Sequence, residues 1–453
     1  MHLPATVISA SDRLRRSLEA IRQWDPLVKA MITVDEEGAR RTAEAADNAA
    51  AEGRSLGLLH GVPLVVKDNI DTAGLRTTCG SRFFEDNVPA ADATVVQRLR
   101  HAGAVIVGKC TLHEFAFGVR SLNPVIGQCR NPWDPARIPG GSSGGSGVAL
   151  ATGMAEMALG TDTGGSVRVP AALNGVSGLR ATVGRVSNHG CLPVSPTHDT
   201  IGPMARSVED VALLFAVIAG HDAADPVSEA RELPNFLPRL RDGIAGRRIG
   251  RPRNHYFDNV SAPVAAAIEE AVRTFSRLGA QIVDVEVPGA EEAHEWATAM
   301  IYSDACALHA ARLEEGGERW GPQTLERMRM GLRYTGTDYA RSMRRREAWC
   351  RALEEVFGQV DMLLSPTSPT VAPLIDEERS LFEATRAVTQ NTYAGAFGRI
   401  PGLSVPCGSS PEGLPIGVQL EAACWNEPLL LQAGWAFQSV TDWHQRRPSL
   451  PRA

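Results

Sequence analysis

Two loops of very small residues, separated by an apolar run, constrain this chain more than any other feature. Residues 139–170 read PGGSSGGSGVALATGMAEMALGTDTGGSVRVP. The loops run from Gly140 to Gly147 and from Thr163 to Ser166, and between them Val148 to Leu159 suits a buried helix leading into a strand. That order can bring both loops to one point. Where Cβ atoms are missing, backbone N–H groups approach a ligand closely and bind developing negative charge. Gly164, Gly165 and Ser166 suit an oxyanion hole, and Ser142, Ser143, Ser146 and Ser166 set hydroxyls beside the bare amides. This is the equipment of acyl transfer.

Two other readings of the first loop fail on local context. Gly141, Ser143 and Gly145 match a nucleophile elbow, but the elbow needs an apolar strand before it and Asn131 to Pro139 reads NPWDPARIP. A phosphate cradle would end in Lys-Ser/Thr, and a dinucleotide fingerprint would have a third glycine where Leu150 stands.

The 453 residues are 43% apolar and 22% charged, which describes a globular chain with a large core. A formal net charge of −6 gives no footing for a nucleic-acid partner. Arg341, Arg344, Arg345 and Arg346 cluster beside Glu347 and read as a solvated helix face. The eight cysteines include no C-x-x-C pair, which argues against zinc and disulfides and fits reduced thiols in a cytoplasm. No leader peptide is expected at the N-terminus, and no window reaches the ~18 apolar residues of a membrane helix. His113 and Glu114 are adjacent on a short helix and point apart, so no metal is expected there.

Taken in order, the chain begins with helices over Ser9 to Ile21 and Asp35 to Glu52. Then HGVPLVVKDNID (60–71) gives a short buried strand ending at Lys67. Burial disfavours a charged ammonium, so Lys67 is available as a base, and no better base stands near the glycine loops. Taken alone, Lys67 also reads as a surface lysine beside Asp68. His198-Asp199 offers an imidazole, but a hydroxyl and lysine set already has its parts. A strand is expected over Ala104 to Val107, followed by a loop entering a short helix. After Pro170 the chain is dense in turn residues as far as Ser207, which with Asp210 forms a capping box for a helix ending before Gly220. A strand at Arg248 to Gly250, a helix over Val264 to Leu278 and an alternating strand through Val283 and Val285 imply an α/β layer. Residues 290–356 read as helices rich in Met and aromatics, suited equally to core or to a cap over an apolar substrate. Met362 to Leu364, Leu403 to Pro406 and Ile416 to Leu420 read as strands.

These segments together resemble the amidase signature hydrolases. The likeness is carried by HGVPLVVKDNID, PGGSSGGS, GTDTGGSVRVPA and GRVS…DTIGPMARSVEDVALL within 60–219, then by SPTSPTVAP (365–373) and GLPIGVQL (413–420). Ser142 follows Lys67 by 75 positions and Ser166 follows Ser142 by 24, separations similar to those of family members. The resemblance implies one α/β/α sandwich over residues 1–453 around a mixed, mostly parallel sheet, with a signature core at about 60–219 and a variable helical region at about 290–400. It implies Ser166 as nucleophile, Lys67 as base, and Ser142 between them after a non-proline cis peptide bond. The N–H groups of Thr163, Gly164, Gly165 and Ser166 would form the oxyanion hole, Ser143 would support Lys67 from behind the residues that touch it, and Asp162 and Arg168 would support the loop. No cofactor is implied. Gly141 and Val169 would face the substrate; a valine after Arg168 offers a substrate carboxylate no partner and favours a neutral, apolar acyl group. Arg180-Ala181 replaces the family's usual Lys-Pro, a change expected to be structural.

The segment Thr197 to Arg206 is similar to the indoleacetamide and mandelamide hydrolase branch, which implies aryl or alkyl amides. The expected activity is therefore amide hydrolysis on a small-molecule substrate, with anilides, carbamates (urethanes) and esters open to the same acyl-enzyme route. No nucleic acid and no membrane are expected as partners, and a homodimer is allowed. The alternative is an A-type amidotransferase component that works on glutamyl-tRNA within a multi-subunit complex.

Overall fold

The computed structural model describes residues 8–449; the first seven positions, on which the no-leader expectation partly rests, lie outside them. The strands are β1 (Met31–Val34), β2 (Pro63–Lys67), β3 (Val105–Cys110), β4 (Leu122–Asn123), β5 (Gly127–Gln128), β6 (Met157–Asp162), β7 (Ser177–Arg180), β8 (Thr200–Ala205), β9 (Arg248–Pro252), β10 (Gln281–Val285), β11 (Met362–Pro366), β12 (Gly402–Ser409) and β13 (Pro415–Glu421). β4 and β5 form a separate small hairpin, and the other strands make one sheet of 11 in the order β1-β3-β2-β6-β8-β7-β12-β13-β11-β9-β10.

The sheet is mixed. Parallel pairing occupies two flanks, β3-β2-β6 and β11-β9-β10, where helices such as Thr94–His101 and Ala262–Arg277 carry the chain from one strand to the next. Between the flanks, from β6 through β8, β7, β12 and β13 to β11, every pair is antiparallel. The expected parallel bias therefore fails in the middle, because β7 and β8 come from the turn-rich stretch after Pro170 and join by a long loop instead of a helix.

Side-chain alternation along the strands builds a three-layer sandwich. Leu64 and Val66, Met157 and Leu159, and Met362 and Leu364 all enter one core, shared with Val96, Phe215, Ile268 and Leu431 of the helices on that face. Val65 and Ala158 turn the other way, against Leu18, Ala43 and Val148 of Ala10–Val28, Glu36–Ala51 and Gly144–Thr152. Leu363 turns that way as well, against Met300, Trp349 and Phe397 of Ala290–Leu308, Gly336–Gln359 and Leu381–Phe397. Each fully buried side chain of this kind contributes about 1.5–3 kcal/mol. Of the Met and aromatic residues of 290–356, Met300, Tyr302, Trp320, Met328 and Trp349 thus supply ordinary core, Met343 is exposed, and Tyr302 also roofs the site. Helix starts follow local chemistry: Ser9 and Ser207 accept hydrogen bonds from the N–H groups of Asp12 and Asp210 at 3.0 Å each.

Candidate active site

The C-terminal ends of β2 and β6 and the start of the helix Gly144–Thr152 converge where the two glycine loops meet. All five residues of β2 are buried, so the strand carries the amine of Lys67 into the interior. The Gly141–Ser142 peptide bond is cis. A Cβ on Gly145 would stand 2.5 Å from the Thr111 carbonyl oxygen and 2.6 Å from that of Ala30, so only glycine lets this helix start so close to the sheet.

Lys67 Nζ lies 2.7 Å from Ser142 Oγ and donates to Thr161 Oγ1 at 2.7 Å. Burial pushes the Lys67 ammonium down to about 7, against the opposing pull of Cys191, Asp199 and Asp162. A neutral amine keeps its donation to Thr161 and turns its lone pair on the Ser142 hydroxyl. Ser143 stands one step behind Lys67: its hydroxyl donates to the Thr161 carbonyl at 3.2 Å and accepts from the Thr161 N–H at 3.2 Å. Thr161 therefore stands between Ser143 and Lys67, because β6 lies directly beside β2. Sequence reasoning passed over Thr161; its position just before Asp162 at the end of a buried strand was the available signal.

Asp162 organises the second loop. Its carboxylate accepts from the Gly165 N–H at 2.7 Å, from the Val167 N–H at 3.2 Å, and from Arg168 Nε at 3.0 Å and Nη2 at 3.1 Å. Arg180 adds Nη1 at 3.1 Å on the carboxylate and Nη2 at 2.7 Å on the His198 carbonyl. These two guanidinium groups overcome burial and hold the Asp162 carboxyl well below the usual range. The Gly165 amide is thereby committed, which leaves the N–H groups of Thr163, Gly164 and Ser166 without acceptors among the described residues. Ser166 O accepts from the Ser143 N–H at 3.2 Å, which ties the two loops together, whereas the Ser142 and Ser166 hydroxyls are not hydrogen-bonded to each other. His198 sits apart, with Nδ1 2.8 Å from Ser195 Oγ, and burial drives its pKa well down.

Thr163, Gly164 and Ser166 line a cavity of about 30 Å³, roofed by Phe117, Ile301, Tyr302, Tyr393 and Arg327. Gly141 and Val169 do not line it. Val169 packs with Val119, Leu173, Ala372 and Val388, and Gly141 abuts the Val119 backbone. Arg327 was missed in the sequence, where Arg329 and Arg333 nearby make it look like one more residue of a solvated face.

Among the described residues no group of His, Cys, Asp and Glu is arranged to hold a metal, and no helix is long and apolar enough to cross a membrane.

The family model described as Amidase matches residues 12–431. The A-type component of the glutamyl-tRNA(Gln) amidotransferase of Chloroflexus aurantiacus is 39% identical over 476 residues, covering 99% of this chain and 96% of that one. A solved structure described as an unexpected vestigial protein complex that reveals the evolutionary origins of an s-triazine catabolic enzyme has a TM-score of 0.90 at 37% identity, covering 95% of each chain. A peptide amidase in complex with chymostatin has a TM-score of 0.84 at 32% identity, covering 98% of this chain and 96% of that one. The expectation of a small-molecule substrate with no nucleic-acid partner is corrected by these findings, since the Chloroflexus relative is one subunit of an enzyme named for a tRNA. The net charge of one chain, −6 here, does not report what the other chains of an assembly hold. By its matched length, its paired loops and its likeness to amidases and amidotransferase subunits, the chain belongs to the Amidase family.

Proposed function

We propose that this chain is the amide-cleaving subunit of a multi-subunit amidotransferase and opens a carboxamide through an acyl-enzyme on Ser166. The observation that carries the reading is the likeness, over nearly the whole of both chains, to an A-type amidotransferase component. Likeness to a structure described as a protein complex supports it.

The site chemistry follows from the geometry around Lys67. As the Ser166 oxygen bonds to the acyl carbon, its proton passes to Ser142 and that of Ser142 passes to the neutral Lys67 amine. The hydroxyls of Ser142 and Ser166 draw together when substrate fills the cavity. The tetrahedral oxyanion is held by the N–H groups of Thr163, Gly164 and Ser166. Lys67 then returns the proton through Ser142 to the nitrogen, the C–N bond breaks, and ammonia leaves. Water opens the acyl-enzyme by the same route and yields the carboxylic acid. In the complex the ammonia goes to an activated acyl group on the acceptor. Hydrolysis without transfer is the second reading, favoured by likeness to the peptide amidase.

The test is to isolate the chain from its own cells with whatever subunits accompany it. Ammonia release from carboxamides and amide transfer to glutamyl-tRNA(Gln) are then measured with and without those subunits. Stoichiometric partners and transfer that needs them are expected. An isolated chain that cleaves amides at full rate and takes no part in transfer overturns the proposal.

A further inference from the structure

Among the described residues four arginines lie almost wholly inside this protein, and three of them have counter-charges: Arg185 Nε stands 3.7 Å from the buried Glu427 carboxylate. Arg168 and Arg180 both bond the Asp162 carboxylate. Arg327, 1% exposed on the helix Pro322–Gly331, does not have one. Its Nη1 donates to Tyr302 Oη at 2.7 Å and its Nη2 to Thr385 Oγ1 at 2.7 Å and to the Leu381 carbonyl at 3.3 Å, all neutral acceptors. Its Nε–H has no acceptor at all among the described residues. No carboxylate comes within 4.0 Å of this guanidinium among the described residues, and burying an unpaired charge is strongly unfavourable. Yet Arg327 lines the same cavity as Ser166.

The remaining lining gives the second half of the argument. It holds hydroxyls, aromatic rings and aliphatic groups but no acid. His294, stacked on Tyr393 at 4.1 Å, brings no charge of its own, since burial pushes its pKa down to about 3. The cavity lining thus offers a counter-charge to an anion and none to an ammonium group.

We propose that the amide cleaved at Ser166 is a half-amide, with a carboxylate that Arg327 receives, a carboxamide that Ser166 attacks, and no amino group. This rests on the proposed reading of Ser166 as nucleophile and replaces the neutral, apolar acyl group expected from Val169, whose side chain is packed away from the cavity. Bidentate recognition of a carboxylate by a guanidinium supplies the missing counter-charge and fixes which end of the substrate faces the nucleophile.

The test uses the chain with its accompanying subunits and compares kcat/KM for succinamate and glutaramate with neutral butyramide and with zwitterionic L-asparagine and L-glutamine. Half-amides are expected to exceed the neutral amide by about 10- to 100-fold, mostly through KM, with the zwitterions no better than the neutral amide. Arg327→Met should erase the preference and Arg327→Lys should keep part of it. If Arg327→Met fails to fold, competitive inhibition of the unmutated protein by succinate but not by butyrate decides the point. Equal turnover of neutral and anionic amides, preference for a zwitterion, or a preference that survives in folded Arg327→Met overturns the inference. If no amide of any charge is cleaved, the proposed function fails, and calorimetric binding of succinamate against butyramide still decides the charge of the ligand.

Discussion

Replacing Thr161 by valine separates the proton-accepting role of Lys67 from its merely being buried. The base must be neutral, so kcat/KM should rise with pH through the Lys67 pKa of about 7 in the unmutated protein. Thr161 Oγ1 accepts from Nζ at 2.7 Å and stabilises the ammonium more than the amine. A hydrogen bond to a charged group contributes roughly 1.5–3 kcal/mol and a neutral one about 0.5–1.5, a difference of about 1–1.5 kcal/mol, or about one pKa unit. Valine nearly keeps the shape, so Thr161→Val should move the acid limb of the profile about one unit toward lower pH while the plateau falls by less than about tenfold. Initial rates of ammonia release between about pH 5 and 9 read the limb, and a thermal melt at each pH confirms that the variant is folded. An acid limb that stays in place, or moves to higher pH, refutes the account of Lys67.

Lys67→Met should abolish turnover yet stabilise the fold. With its pKa lowered from 10.5 to about 7, the folded state sheds a proton that the unfolded chain keeps between those values, so the penalty is full below about 7 and fades as pH rises toward 10.5. That penalty is about 5 kcal/mol; after about 1–2 kcal/mol each for leaving the Ser142 and Thr161 hydroxyls unpaired, a gain of about 1–3 kcal/mol at neutral pH remains, visible in denaturant melts. A loss of stability would contradict it. Ser166→Ala should remove activity and leave the melting temperature within about 2 °C, since its hydroxyl holds no other group; retained turnover would remove Ser166 as nucleophile. In Gly164→Ala the new Cβ would stand 2.4 Å from the Tyr393 ring, so a loss of about 1–3 kcal/mol and of most activity is expected, and wild-type kinetics would argue against a fixed cup of amides.

What the sequence revealed depended on whether an element's role was written in its own residues. The buried run of β2, the capping box at Ser207 and the small-residue loops around Ser142 and Ser166 were legible because each feature is local. β7 and β8 were not, since Gly178, Gly202 and Pro203 look like turn residues and their strands are buried on both faces, which removes the alternation that marks a half-exposed strand. The commitment of the Gly165 amide to Asp162 and the place of Thr161 beside Lys67 come from three-dimensional neighbours that no spacing encodes. Arg327 is the sharpest case, since its meaning lies in having no carboxylate beside it, and only the packed cavity shows that.

The direct test of the whole scheme is to find where the acyl group sits. A carboxamide that deacylates slowly, quenched in acid and followed by intact-mass and peptide mass spectrometry, should show a single acyl adduct on Ser166, absent in Ser166→Ala and strongly reduced in Lys67→Met. An adduct on Ser142, on Cys191 or on any other side chain, or undiminished labelling without Lys67, would contradict it.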